Sequence, residues 1–191
     1  MQLKLVIVGP LGAGKTTISN FLADATEVTS EYRPTQGVRI LEFDVDGISV
    51  RNRNVKADIE LWDCSGDHQF ENCWPAMRKD IHGVIFVYNS KSREYTRELE
   101  QFYDYFVNQT RLGAKSCVVF YFDPDQNSLD APKKISATFA RVSQVSCNVE
   151  EGGNKLKTDF QAFLGTLISN MQEYTDQEEN NIMKDNILFA K

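Results

Sequence analysis

Apolar residues in this chain recur in two rhythms, short continuous blocks and helical stripes, and the two rhythms alternate. Leu3 to Val8 opens as a near-continuous apolar block, which predicts a strand. Thr16 to Ala25 then carries Ile18, Phe21 and Leu22 on one side, the spacing of a helix. Residues 26 to 37 are polar, and Pro34 and Gly37 break regular structure, which predicts a loop. Val38 to Val45 reads as a strand with Val38, Ile40, Phe43 and Val45 as its apolar positions, and Asp46-Gly47 reads as the turn before Ile48 to Val50. A further strand, Ala57 to Trp62, runs straight into Asp63.

The second half repeats the alternation. Gln69 to Lys79 reads as irregular helix interrupted by Pro75. Gly83 to Tyr88 and Cys117 to Phe122 are uninterrupted apolar runs, as expected of strands covered on both faces of a parallel sheet. Between them, Ser92 to Gln109 keeps Tyr95, Leu99, Phe102, Tyr103 and Phe106 at helical spacing, aromatics that read as core. A polar connection over 126 to 138, a strand at Arg141 to Val145 and a helix at Leu156 to Met171 complete the pattern. The acidic stretch from Gln172 to Lys191 admits either a helical extension or a frayed tail. Strands alternating with helices over short connections predict an α/β fold, a mainly parallel six-stranded sheet with helices on both faces.

Chemistry concentrates where the first strand meets the first helix. Gly9 to Thr17 fits the phosphate-loop pattern G-x-x-x-x-G-K-[S/T] at Gly9, Gly14, Lys15 and Thr16. Glycines there let backbone N–H groups approach a polyphosphate, and the following helix aims the positive end of its dipole at the same place. Gly9, Gly12, Ala13, Gly14, Lys15, Thr16 and Thr17 are therefore the expected nucleotide contacts, with Lys15 against the β- and γ-phosphates and Thr16 in the shell of Mg²⁺. Asp63, ending a strand and standing three residues before Gly66, suits a metal-facing turn; Gly66 then offers its N–H to the γ-phosphate.

Bulk properties narrow the field. A chain of 191 residues, 41% hydrophobic, suits one compact domain. A net charge of −6 argues against nucleic acid as a partner, since that affinity rests on basic surface. The cysteines Cys64, Cys73, Cys117 and Cys147 show no zinc-like pairing, and three of them sit in or beside apolar runs, which fits a reduced, cytoplasmic protein. The C-terminal Asn-Ile-Leu-Phe-Ala-Lys has no prenylatable cysteine, so no lipid anchor is expected.

Taken in order, these motifs resemble the Ras-like small GTPases of the P-loop NTPase class, most nearly the Rab branch, over roughly residues 3 to 171. Pro34-Thr35 resembles the switch I threonine, and Trp62-Asp63-Cys64-Ser65-Gly66 resembles the motif leading into switch II. The stretches Pro34 to Phe43, Glu60 to Cys64 and Phe70 to Ala76 are similar to the Rab-like subunit of the intraflagellar transport B complex, the family called Rab-like protein 5 or intraflagellar transport protein 22. The resemblance implies GTP or GDP and Mg²⁺ as cofactors, Thr16, Thr35 and Asp63 as the metal set, and Lys15, Thr35 and Gly66 at the γ-phosphate. It further implies a cilium or flagellum and basal-body location, and docking through the switch face onto the coiled-coil intraflagellar transport proteins 74 and 81. On this reading residues 1–172 are a G domain and 173–191 an acidic extension.

Three departures accompany the likeness. Asp67 follows the switch II glycine where Ras-like enzymes carry a glutamine, so intrinsic hydrolysis is expected to be weak or absent; a cycling GTPase switch is the alternative. His68, next in line, reads as a solvated loop histidine. Where the family asks Asn-Lys-x-Asp, this chain has Phe122-Asp123-Pro124-Asp125, leaving Asp125 to accept from the guanine N1–H and exocyclic amine. Phe122 either packs beside the purine or joins the core. Ser146-Cys147-Asn148 resembles the loop whose backbone N–H meets guanine O6, with Asn148 in place of lysine. The connection from Asp125 to Ser146 is also shorter than usual, so its helix is expected to be reduced.

Overall fold

A computed structural model describes residues 1–25, 33–91, 94–122, 135–147, 149 and 153–189. Its sheet has six strands, β1 (Gln2–Val8), β2 (Val38–Val50), β3 (Arg53–Cys64), β4 (Gly83–Tyr88), β5 (Cys117–Phe122) and β6 (Ser143–Cys147), in the order β2-β3-β1-β4-β5-β6. Every pairing is parallel except β2 with β3, a hairpin at one edge. The alternation of apolar blocks and stripes in the sequence is thus realised as an α/β sandwich. The carboxyl ends of β3, β1, β4, β5 and β6 face one way, and those of β1, β3 and β4 gather the loops that begin at residues 9, 65 and 89.

Helices α1 (Lys15–Leu22) and α4 (Gly153–Phe189) cover one face, where Ile18 and Leu22 meet Leu5, Ile7, Leu61 and Phe120, and Leu156, Phe160, Leu164 and Leu167 fill the rest. The other face is covered by α2 (Trp74–Arg78) and α3 (Tyr95–Tyr103), with Trp74, Met77, Leu99, Phe102 and Phe106 packed on Val6, Val84, Phe86 and Val119. Leu99 and Phe102 of α3, with Phe106 just beyond it, are core, each no more than 1% exposed, while Tyr95 and Tyr103 are half-buried against the same cluster. After Tyr103 the helix widens into a π-type turn over Asp104–Asn108. Pro75 lies in the first turn of α2, where a missing N–H costs nothing, so it starts that helix and does not interrupt it.

One expectation changes at the hairpin. The turn lies at Arg51-Asn52, both at positive φ (47° and 64°), and not at Asp46-Gly47. Apolar residues occupy odd positions at Phe43 and Val45 but even ones at Ile48 and Val50, and a strand can change phase only by gaining a residue. Gly47, at φ 72°, takes that extra position, and the register slips between Val45 and Ile48. Of the strand's apolar positions, Ile40 is 46% exposed, while its neighbour Leu41 packs at the core's edge. The stretch after residue 172 continues α4 unbroken to Phe189, tied back by Lys115–Glu173 and Arg51–Asp176 ion pairs. The described part of the connection before β6 holds a 3₁₀ turn, Ala137–Phe139; residues 123–134, over which the reduced helix is expected, lie outside the described residues.

Candidate functional site

The loop from Gly9 to Gly14 closes β1 and opens α1, and its glycines are there for measurable reasons. A Cβ on Gly9 would fall 2.0 Å from the Val87 carbonyl oxygen of β4, so the loop turns within contact of the sheet. Gly12 and Gly14 hold positive φ, 73° and 97°. Ala13 is buried, its N–H donating to the Pro10 carbonyl at 3.2 Å. The first bond of α1 runs from Ile18 N to Gly14 O at 3.0 Å, which leaves the N–H groups of Lys15, Thr16 and Thr17 ahead of it as donors at the positive end of the helix.

Lys15 is 6% exposed, and its ammonium donates to the Gly9 and Pro10 carbonyls at 2.9 and 2.8 Å, curled across the loop it must serve. Burial pulls it down to about 8, with the Asp63 carboxylate opposing the shift. Asp63 and Thr35 reach the same place from other elements. Thr16 Oγ1 donates to Asp63 Oδ2 at 2.8 Å and stands 2.9 Å from Thr35 Oγ1. Asp63 is fully buried; desolvation raises it, while Thr16, Arg39 and Lys15 hold it back. Its second oxygen, Oδ1, has no hydrogen-bond partner among the described residues. A buried carboxylate oxygen without a donor, beside two converging hydroxyls, fits a hard cation bound through oxygen. Mg²⁺ held by Thr16, Thr35 and Asp63 would neutralise phosphate charge there.

Gly66 closes the site from above. A Cβ on it would stand 2.5 Å from Leu11 N and 2.8 Å from the Gly9 carbonyl oxygen, so only glycine lets this turn rest on the phosphate loop. The next residue, Asp67, caps the following 3₁₀ turn, its carboxylate accepting from Gln69 N at 3.0 Å and Gln69 Nε2 at 2.7 Å. His68 Nδ1 pairs with Glu71 Oε1 on the exposed side.

On the base side, Phe122 belongs to the core and its ring rests on Gly14. Cys147 pairs with Phe122 in register and is buried; Ser146 is exposed, its carbonyl accepting from Lys155 Nζ at 3.1 Å. Asp125 and Asn148 lie outside the described residues. Burial pushes the Cys117 and Cys147 thiols up to about 12, and Cys64 upward too, so these are packing groups and not nucleophiles.

Two residues of the site carry no motif. Asn89, just past β4 and 4% exposed, donates from Nδ2 to the Gly12 carbonyl at 2.9 Å and fixes the phosphate loop from the neighbouring strand. A polar residue capping an apolar run was its one signal. Arg39 lies directly across the hairpin from Asp63 and has no signature in the sequence.

A sheet of this order, with a phosphate loop after β1 and with Thr35 and Asp63, the latter at the end of β3, converging on Thr16, defines a G domain of the Ras-like class. Residues 4–123 match the Roc family, described as Ras of Complex, Roc, domain of DAPkinase. Along its whole length the chain is similar to the intraflagellar transport protein 22 homolog of Homo sapiens, 36% identical over 184 residues, covering 96% of this chain and 99% of that one. It belongs to the intraflagellar transport protein 22 family, and so to the proteins associated with cilia and flagella. Among solved structures, the GTP-bound T. brucei IFT22/74/81 crystal structure superposes with a TM-score of 0.73 at 20% identity, covering 91% of this chain and 99% of that one. GDP-bound T. brucei IFT22 gives 0.66 at 21% identity, covering 88% and 97%. Both share the fold.

Proposed function

We propose that this protein is a GTP-binding adaptor subunit of the intraflagellar transport B complex, whose nucleotide and Mg²⁺ order a switch face that docks onto the coiled-coil partners 74 and 81. The observation that carries this reading is the convergence of Thr35 and Asp63 on Thr16, whose hydroxyl stands 2.9 Å from Thr35 Oγ1 and 2.8 Å from Asp63 Oδ2. Thr35 meets Thr16 and Gly66 rests on Leu11 and Gly9, so a γ-phosphate contacted by both would draw their two segments together. Leu11 and Ile40, 51% and 46% exposed, flank that region and offer apolar surface to a partner. The relatives named for intraflagellar transport, and the T. brucei assembly with 74 and 81, support the choice of partner.

On this reading residues 1–172 act as the G domain and 173–191 as an acidic extension of its last helix. Phe122 replaces an amide side chain of the guanine motif and is committed to packing, so Asp125 and the Ser146-Cys147 backbone carry the base contacts. Hydrolysis is slow, because Asp67 offers no amide to a water and adds negative charge near the γ-phosphate. The protein works in the cilium or flagellum and at its basal body, held there by assembly.

Co-purification with the 74/81 coiled-coil pair tests this. The unaltered protein loaded with GTP retains the pair, and Thr16→Asn, shown to be nucleotide-free and folded, loses it. Retention by the nucleotide-free variant would separate docking from nucleotide and defeat the adaptor mechanism.

A further inference from the structure

Asp63 is held by two donors, one expected from the chemistry of the site and one not. Arg39 leaves β2 directly opposite Asp63 in the antiparallel register and places Nη2 3.4 Å from Asp63 Oδ2. The same nitrogen donates to Asn20 Oδ1 at 2.5 Å, near the end of α1. Arg39 Nε is buried and has no partner among the described residues, so the side chain is drawn in by its head and not by its stem. Thr35, Thr16, Asp63, Arg39 and Asn20 thus form one continuous chain of polar contacts.

A guanidinium never loses its charge at ordinary pH. Placed beside a fully buried carboxylate, it does two things that a divalent cation in this site would do: it balances Asp63 and puts positive potential under the phosphates. It also repels a second cation at the same carboxylate. We infer that Arg39 is a resident cation of the metal site, a positioning residue that keeps Asp63 and Thr16 assembled without Mg²⁺ and makes nucleotide binding only weakly dependent on the metal.

This inference rests on the reading of the site as one for a purine triphosphate and Mg²⁺. Its test is equilibrium titration of fluorescent GTP, in saturating Mg²⁺ and in excess chelator, with the full chain. The unaltered protein is expected to lose no more than about tenfold in affinity on chelation. Arg39→Gln is expected to lose at least about tenfold more on chelation than the unaltered protein does, and to reach half-saturation at lower Mg²⁺. Arg39→Lys, which keeps the charge without the fork, is expected to restore most of the metal independence. If Arg39 merely braces β2 against α1, Arg39→Gln weakens GTP binding by the same factor with and without Mg²⁺, which overturns the inference. Near-ultraviolet dichroism identifies a folded variant; if Arg39→Gln does not fold, Asn20→Ala, which releases the far anchor of the guanidinium, must show the same increased dependence on Mg²⁺ or the inference fails. No binding by the unaltered protein in saturating Mg²⁺ would instead remove the nucleotide reading itself.

Discussion

The ring of Phe122 rests on Gly14 so closely that a Cβ on the glycine would stand 2.2 Å from Phe122 Cδ1. The end of β5 and the last turn of the phosphate loop are therefore one packed unit. Gly14→Ala forces a side chain into both a positive φ and that ring. We expect a loss of about 2 to 5 kcal/mol in urea unfolding, from left-handed strain of about 1–2 and overpacking of about 1–3 kcal/mol. Gly113→Ala, with nothing within 4 Å of the new methyl, is expected to stay within about 0.5 kcal/mol of the unaltered protein.

Lys15 predicts opposite pH dependences for the empty and the loaded protein. Burial lowers it to about 8 from its ordinary 10.5. Between those values the unfolded chain holds more protons than the folded one, so the stability of nucleotide-free protein rises with pH across that window. Phosphates favour the charged form, so GTP affinity falls as pH climbs above about 8. Thermal melts and titrations across pH 7.5 to 10 at fixed ionic strength, about 0.15 M, read both trends; parallel trends would contradict the burial of this ammonium.

Asp67 is engaged with Gln69 as the cap of a 3₁₀ turn and carries no amide. Single-turnover hydrolysis is expected to be slow, and Asp67→Gln to speed it by about tenfold or more by supplying a group that orients water. A brisk rate in the unaltered protein would show that hydrolysis is arranged by other residues and would favour a cycling switch over an adaptor.

Asn89→Ala removes the hydrogen bond from β4 to the Gly12 carbonyl and leaves that carbonyl short of a donor. We expect about 1 to 3 kcal/mol lost in chemical denaturation and a weaker grip on nucleotide, because the loop loses its lateral anchor. Unchanged affinity would mean that the loop is held by its own backbone and Lys15 alone.

How much of this was legible beforehand depends on whether the cause is local. The phosphate loop, Asp63 and Gly66 could be read because their chemistry fixes residue type and spacing along the chain. The buried strands β4 and β5 could be read because a strand covered on both faces must be apolar throughout. The hairpin turn was misplaced because Asp46-Gly47 carries a turn signal that the bulge uses instead; only the change of phase from Val45 to Ile48 gave it away. Arg39 was invisible and Asn89 marked only as a polar residue after an apolar run, since each acts on a partner brought near by sheet pairing and neither belongs to a spaced pattern. The long α4 could not be chosen over a frayed tail because its later turns, among them Tyr174 and Ile182, are exposed and leave no stripe to detect.

Equilibrium uptake of GTP in the presence of Mg²⁺ tests the central claim most directly. The convergence of Lys15, Thr16, Thr35 and Asp63 predicts saturable binding of one GTP per chain, displaced by GDP far better than by ATP. No measurable uptake of any purine triphosphate by folded protein would contradict it.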